Sequence, residues 1–123
     1  MFITINKIRL DKKGLYHSGT RKKLHEDSFD FDMMDKIEII KDFIDKTMVK
    51  TEEITYDKPS YLFPLFFGRA SGIGVSQGEF IYAMLEKGFR IKPQHELSLG
   101  CWFNLDWEEF KERYKEHYPG KRW

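Results

Sequence analysis

The sequence contains little of what several classes of protein require. A single cysteine among 123 residues cannot build a disulfide framework, so a reducing compartment is expected. No apolar run approaches the roughly 18 residues that cross a bilayer, which argues against an integral membrane protein. The first residues, Met1 to Ile5, lack the basic start and long apolar stretch of a signal peptide. Together these absences predict a cytoplasmic protein.

The composition is that of a folded globular chain. Hydrophobic residues make up 41% of the sequence and charged residues 33%, which is too apolar for a disordered segment. Single cores run to roughly 100–150 residues, so we expect one domain over residues 1–123. Aromatic residues reach 16%, an unusually high share for so short a chain.

The net charge of +1 hides two opposed blocks. Residues 7–24 carry seven basic side chains against Asp11, whereas residues 26–57 carry eleven acidic side chains against four lysines. An acidic block of this size offsets the attraction of the basic block for phosphates when the two lie close together. We interpret both blocks as solvated faces, and strong nonspecific DNA binding is not predicted.

Two segments of the first half have clear local patterns. Residues 2–10 and 15–24 flank the sequence Asp11-Lys12-Lys13-Gly14, which predicts a β-hairpin carrying most of the basic block. Residues 32–47 are predicted to form a helix because apolar residues recur there at helical spacing. A brief extended segment is expected over residues 53–56.

The second half contains two helix-start signals. Ser76 and Glu79 have capping-box spacing and predict a helix over residues 76–89, ended by Gly88. Asp106 and Glu109 repeat the spacing and predict a terminal helix. Between them, the alternating residues 97–104 predict a strand that pairs with residues 89–92.

The run Tyr61 to Phe67 is ambiguous between helix and strand. As a helix capped by Ser60, the run would place Pro64 in the first turn, where the missing N–H costs little. As a buried central strand, the proline would remove a ladder hydrogen bond. The position of the proline therefore favours a helix.

These elements define an α+β fold. Their order of helix, strand, helix, helix, strand, strand predicts a winged-helix-like core over residues 30–104. An N-terminal basic β-hairpin (residues 1–25) would precede this core, and a C-terminal helix (residues 105–118) would follow it. The whole chain would form a single domain.

No catalytic constellation stands out. The segment Gly68 to Gly74 resembles the glycine loop of short-chain dehydrogenases, which holds a pyrophosphate at a helix N-terminus. Pro64 disrupts the strand that should come first, and only about fifty residues follow, too few for a doubly wound sheet. We interpret the segment as a Gly-rich turn between helices, with nucleotide binding through Gly68, Gly72 and Gly74 as the less favoured alternative.

The candidate metal ligands and nucleophile are dispersed. The four histidines and Cys101 show no paired spacing typical of a zinc site. Cys101 shares the apolar face of its predicted strand with Leu99 and Phe103, so we expect a buried, inert thiol rather than a Cys–His nucleophile. The sequence therefore predicts no metal, no cofactor and no enzymatic activity.

DNA binding is one of two hypotheses for function. In a winged helix the second helix of the pair enters the major groove, yet this one carries Glu79 and Glu86, which would repel phosphate. The candidate nucleic-acid-binding residues are Arg9, Lys12, Lys13, Arg21, Lys22, Lys23, Gln77, Lys87 and Lys92. The helix that would enter the major groove therefore carries few of the side chains that recognise bases.

The aromatic residues favour the other hypothesis, a protein-binding surface. A helix from Tyr61 to Phe67 is apolar nearly all round, so one face would meet something beyond its own core. Exposed Trp, Tyr and Phe are enriched at the centres of protein–protein contacts. The candidate contact residues are Phe63, Phe66, Phe67, Tyr82 and Trp102. The alternative is that these rings fill a compact core.

Residues 60–104 resemble a family of small proteins from phages and integrative elements. The family pattern is S-Y-x-L-K-H, then Y-V-S-N-G-E-F-I-x-A-M-x-x-x-G-F, then S-P-N-x-x-F-N. The matching residues are Ser60-Tyr61, Val75-Ser76, Gly78 to Ile81, Ala83-Met84, Gly88-Phe89, Ser98 and Phe103-Asn104. The chain departs from the pattern at Pro64-Leu65, Gly74, Gln77 and Gly100. The resemblance implies a mobile-element origin and supplies no catalytic residues.

These observations lead to one functional hypothesis and one rival. The hypothesis is a non-enzymatic phage or mobile-element protein in the host cytoplasm. It would dock on a host or phage protein and could act as an inhibitor of a defence system. The rival is a winged-helix DNA-binding regulator. DNA and a second copy of the chain remain open as further partners.

Overall fold

The computed structural model describes residues 3–11, 13–15, 31–95 and 98–120, and these form an α+β structure. Within them lie four helices and two small antiparallel sheets. The strands are β1 (Ile3–Ile5), β2 (Ile8–Asp11), β3 (Gly14–Leu15), β4 (Ile91–Pro93) and β5 (Cys101–Phe103). The helices are α1 (Phe31–Thr47), α2 (Leu62–Ser71), α3 (Gln77–Glu86) and α4 (Trp107–His117).

The N-terminal sheet has the order β1-β2-β3, with one more turn than the sequence predicts. Asn6 and Lys7 both have positive φ, 51° and 67°, and this two-residue turn divides the segment that we expected to be one strand over residues 2–10. The second turn is confirmed, since Asp11 pairs with Gly14 across it. Of the predicted second strand, Leu15 belongs to β3 and residues 16–24 lie outside the described part.

Helix α1 begins one residue before its predicted start and ends at the predicted residue. Its buried face consists of Ile37, Ile40, Phe43 and Ile44, and it packs against α3 and α4. The helical periodicity of the apolar residues therefore identified both the element and its inward face.

The Phe-rich run is a helix, as the position of Pro64 indicates. The predicted cap is wrong, because α2 begins after Tyr61 with no side-chain cap. The Ser60 hydroxyl instead donates to Gln77 Oε1 at 2.7 Å and accepts from the backbone N–H of Cys101 at 3.0 Å. A serine before a helix can serve as a cap or a tertiary contact, and here the tertiary contact prevails.

Helix α3 lies within the predicted residues 76–89, starts at the predicted cap and is the most buried helix of the described chain. Ser76 Oγ accepts from the N–H of Glu79, while Glu79 Oε1 accepts from the N–H of Ser76, which completes the capping box. Gly88 (φ 87°) ends the helix, and the N–H of Phe89 donates to the carbonyl of Met84. All eight residues from Gly78 to Leu85 are buried, because α1, α2 and the N-terminal sheet surround the helix.

The second sheet pairs β4 with β5, so Ile91 faces Phe103 and Lys92 faces Trp102. The strand is shorter than the predicted 97–104, and Leu99, which we expected on its buried face, is 40% exposed. On the other side of β5, the segment from Lys50 to Pro59 makes isolated bridges to Leu105 and Trp102.

Helix α4 is capped by Asp106, whose carboxylate accepts from the N–H of Glu109 at 3.1 Å. The predicted reciprocal bond is absent, because the N–H of Asp106 donates to the carbonyl of Val49 and Glu109 pairs with Arg113. The box is therefore half formed, and the backbone bond to Val49 attaches the start of α4 to the end of α1.

Aromatic rings join the helices into one core. Phe43 of α1 meets Phe67, Phe80 and Phe110 edge to face, with ring centroids 5.3–6.2 Å apart. Phe63 of α2 contacts Phe103 of β5 in the same way.

Among the described residues, no helix is both long enough and apolar enough to cross a membrane.

Candidate interaction surface

Four of the five predicted contact residues lie in the core. Phe63, Phe66, Phe67 and Tyr82 are only 0–9% exposed, so they are not available to a partner in this fold. The prediction that they form a contact surface is wrong, because α3 and α4 cover the side of α2 that carries the three phenylalanines, and Tyr82 lies in the buried helix α3. Tyr61 and Leu65, on the outer side of α2, are the exposed apolar residues of this segment.

Trp102, the fifth predicted residue, is half-buried and belongs to a different group of side chains. Its ring contacts Tyr56 edge to face, with centroids 5.0 Å apart, and Tyr56 is 53% exposed. The ammonium of Lys92 lies 5.6 Å from the centroid of the Tyr56 ring. We call Tyr56, Trp102 and Lys92 the aromatic face.

The backbone of the second sheet fixes the aromatic face. Side chains alternate along β5, so Cys101 and Phe103 point into the core while Trp102 points outward. Lys92 is the register partner of Trp102 on β4. Tyr56 is held by its neighbour Thr55, whose N–H donates to the carbonyl of Phe103 and whose hydroxyl donates to that of Leu105.

Tyr56 is the member of this surface that sequence reasoning missed. It lies in an irregular segment with no apolar periodicity, between the acidic pair Glu52-Glu53 and Asp57. The available signal was the predicted extended segment over residues 53–56, since a tyrosine at the end of such a segment can lie beside an outward residue of a neighbouring strand. Nothing in the sequence indicated which strand would be the neighbour.

The candidate DNA-binding residues are dispersed, and several have internal partners. Arg9, Lys13 and Lys92 are exposed, whereas Lys12, Arg21, Lys22 and Lys23 lie outside the described part. Lys87 pairs with Asp45 at 2.7 Å. Helix α3, which should read bases in the rival hypothesis, is buried from Gly78 to Leu85 and presents no groove-reading face.

Gln77 has a structural role in place of the base-reading role predicted for it. Its Nε2 donates to the carbonyl of Lys13 at 2.8 Å, while its Oε1 accepts from Ser60. Ser60 in turn accepts from the N–H of Cys101. This chain of hydrogen bonds connects the N-terminal sheet, α3, the start of α2 and β5, so both ends of the Gln77 amide are used inside the molecule.

The Gly-rich segment and Cys101, the two candidates for chemistry, have structural roles. Residues 68–71 lie within α2 and Gly72 ends that helix with φ 77°, so only the second part of the Gly-rich segment, residues 72–74, is the predicted turn between helices. Cys101 is fully buried, and burial raises the pKa of its thiol from the ordinary 9.0 to about 12 despite a hydrogen bond with Ser60. The predicted buried thiol is thus confirmed, and at neutral pH it holds its proton.

Within the described residues, no three His, Cys, Asp or Glu side chains are grouped so that they could hold a metal ion.

Comparison with known proteins gives no relative: no family model, no curated protein and no solved structure matches the chain.

Proposed function

We propose that this protein is a non-enzymatic binding protein that docks on another protein through the aromatic face. The observation that carries the proposal is the position of the Tyr56–Trp102 pair. The other ring contacts between described residues each include at least one core ring, whereas the Tyr56–Trp102 pair contacts no core ring. Tyr56 is exposed and Trp102 is half-buried, so the exposed parts of both rings are available to a partner.

The chemistry of the face suits a protein partner. Tyrosine and tryptophan offer large contact areas, and few of their torsions must be fixed on binding. Lys92 stays near the Tyr56 ring through a cation–π contact, so its ammonium is already positioned for a carboxylate or a carbonyl of the partner. The acidic residues nearby in the chain, Glu53 and Asp57, would repel a phosphate backbone.

The biological setting of the proposal comes from the sequence resemblance. Residues 60–104 resemble small proteins of phages and integrative elements, which favours a host or phage protein as the partner. Such a chain has no need of a catalytic group, since occupying a surface is sufficient to block an enzyme. We therefore propose inhibition of a host defence protein as the specific role.

The proposal is tested by affinity capture from nuclease-treated lysate of the host. The wild-type chain is compared with Tyr56→Ala and Trp102→Ala, and with Ile39→Ala as the matched control. Ile39 is a similarly exposed apolar residue, 43% against 53% for Tyr56, on the outer face of α1. We expect one protein to be captured by the wild type and the control and lost with both ring variants. Contact-centre residues of this type contribute about 2 kcal/mol or more, roughly a thirtyfold loss of affinity.

Two outcomes would contradict the proposal. One is capture that the ring variants leave unchanged, which would place the contact elsewhere. The other is a wild-type chain that recovers only nucleic acid when the nuclease is omitted. Circular dichroism of Trp102→Ala checks that its fold is retained. Tyr56→Ala changes a more exposed position and so tests the contact independently.

The winged-helix DNA regulator remains as the second candidate. The order of α1, the bridged segment 50–59, α2, α3, β4 and β5 agrees with a winged-helix arrangement, and this agreement favours the candidate. The burial of α3 opposes it, since a recognition helix must reach base edges. In a gel-shift experiment with DNA, we expect no preference for a particular sequence. We also expect no binding that weakens as the salt concentration is raised. Salt-dependent binding weakened by Arg9→Ala would favour the regulator instead.

A further inference from the structure

A cleft lies between the C-terminal ends of α1 and α3, away from the residues of the aromatic face. Its volume is about 420 Å³, within the roughly 300–1,000 Å³ of small-molecule sites. The lining residues are Ile44, Asp45, Met48, Val49, Lys50, Lys87 and Phe89. The proposed function above does not use this cleft.

The floor of the cleft is apolar and well packed from below. Ile44, Met48 and Phe89 line the cleft, and each is only 1–7% exposed. Such a floor can hold an alkyl or aryl group of moderate size. Met48 in particular has an unbranched, adaptable side chain that can follow the shape of different apolar groups.

The rim of the cleft carries two ammonium groups and one carboxylate. Lys87 and Asp45 neutralise each other in an ion pair of 2.7 Å. The Lys50 ammonium lies 5.4 Å from the centroid of the Phe89 ring, and no carboxylate of the described residues pairs with it. Within the described part of the chain, Lys50 is thus the cation at this rim without a carboxylate partner.

At both helix ends beside the cleft, some of the terminal carbonyls already accept hydrogen bonds. At the end of α3, the N–H groups of Gly88 and Phe89 donate to carbonyls of the last turn. At the end of α1, the hydroxyl of Thr47 donates to the carbonyl of Phe43, and the N–H of Met48 donates to that of Ile44. These bonds reduce the negative potential that a free helix C-terminus would provide.

Gly88 leaves the space that lets Lys50 reach the rim. A Cβ at position 88 would lie 2.9 Å from Lys50 Nζ, so any other residue would displace the ammonium. The positive φ of Gly88, 87°, also turns the chain so that Phe89 enters the floor. One glycine thus permits both the cation at the rim and the ring beneath it.

We propose that this cleft binds a small amphipathic anion, with the carboxylate of the ligand at the Lys50 ammonium and its apolar body on the floor. A medium-chain carboxylic acid or an arylalkyl acid has this chemistry. The site is independent of the aromatic face, so its test and that of the proposed function can fail separately.

The experiment uses octanoate, octanol and octylamine as probes that share the apolar body and differ in the head group. Binding to the full chain is followed by amide chemical shifts of Val49, Lys50 and Phe89. Octanoate is expected to bind at least tenfold more tightly than the other two. Lys50→Gln should weaken octanoate about tenfold and leave octanol unchanged, whereas Lys50→Arg, which retains the charge, should preserve most of the affinity.

Lys46→Gln is the matched control, because Lys46 lies four residues before Lys50, in the last turn of α1, and its ammonium is paired with Asp42 at 2.9 Å. It should leave octanoate binding unchanged. The proposal is overturned if octanol binds as tightly as octanoate, if the glutamine variants at positions 50 and 46 behave alike, or if the three amides do not respond to octanoate.

Discussion

Cys101 illustrates how burial at one position determines the chemistry of a side chain. The residue lies on the inward face of β5, where removal from water penalises the thiolate and raises the pKa to about 12. The backbone N–H of the same residue is satisfied by Ser60, so the position is stable without any reaction of the sulfur. A nucleophilic role would require a lowered pKa, the opposite of what this environment produces.

The raised pKa of Cys101 predicts a pH dependence of stability. Between pH 9 and about 12 the folded thiol keeps its proton while the unfolded thiol loses it, so deprotonation favours the unfolded state. The contribution of the thiol to stability is therefore complete below pH 9 and is lost as the pH rises toward 12. We expect the difference in urea unfolding free energy between the wild type and Cys101→Ala to shrink from pH 8 to pH 11. A difference that stays constant or grows would show that the thiol is not protected by burial.

At the scale of elements, the N-terminal sheet and α3 form one unit. The sheet covers α3 through its strands, with Leu10 and Leu15 buried between them. Polar contacts complete the joint: the N–H of Leu15 donates to the carbonyl of Leu99, and Gln77 donates to Lys13. Gly14 permits this close approach, because a Cβ there would lie 2.1 Å from the Leu99 oxygen.

Gln77→Ala should loosen the N-terminal sheet from α3. The change removes the bond to Lys13 and leaves the Ser60 hydroxyl without its acceptor, at a cost of about 1–2 kcal/mol. Amide hydrogen exchange of Leu10 and Leu15 is expected to accelerate by about five- to thirtyfold, since each 1.4 kcal/mol is a factor of ten. Gln94→Ala is the control, since no hydrogen bond of that side chain is found in the described part of the chain. Equal exchange in the two variants would show that apolar packing alone holds the sheet.

At the scale of the whole molecule, aromatic side chains divide into a structural set and an exposed set. Phe63 is fully buried and meets rings from α3, β5 and α4, whereas Tyr61, two residues earlier, is 56% exposed. The high aromatic content therefore mainly serves a small core that four helices share. Only the exposed aromatic side chains are left to contact a partner.

Phe63→Ala should destabilise the whole domain, because the cavity would open where α2, α3, α4 and β5 meet. Loss of a buried phenylalanine costs about 3–5 kcal/mol, while Tyr61→Ala at an exposed site should change stability by less than about 0.5 kcal/mol. Urea denaturation followed by circular dichroism measures both. If the two variants were equally stable, the burial of Phe63 would not reflect a tightly packed core.

Local signals in the sequence identified all four helices but missed the end of α2, which extends to Ser71, and they did not identify the surfaces. Apolar periodicity identified α1, and the capping box at Ser76 identified α3, because both depend on residues within one or two turns. The turn at Asn6 and Lys7 was missed because neither residue is a glycine. The role of Ser60 was missed because its partners are 17 and 41 residues away. Tyr56 was missed for the same reason, since Trp102 becomes its neighbour only when the second sheet forms.

The sequence by itself determined the α+β class, the helix positions and the protonated, buried cysteine. The physical reason is that hydrogen bonds within a turn and the spacing of apolar residues act over short stretches of chain. Tertiary structure decided which aromatic side chains are buried, because an apolar helix is covered only where other elements pack on it. It also brought Lys50 to Phe89 and Tyr56 to Trp102, and these encounters between distant residues define both surfaces proposed for binding.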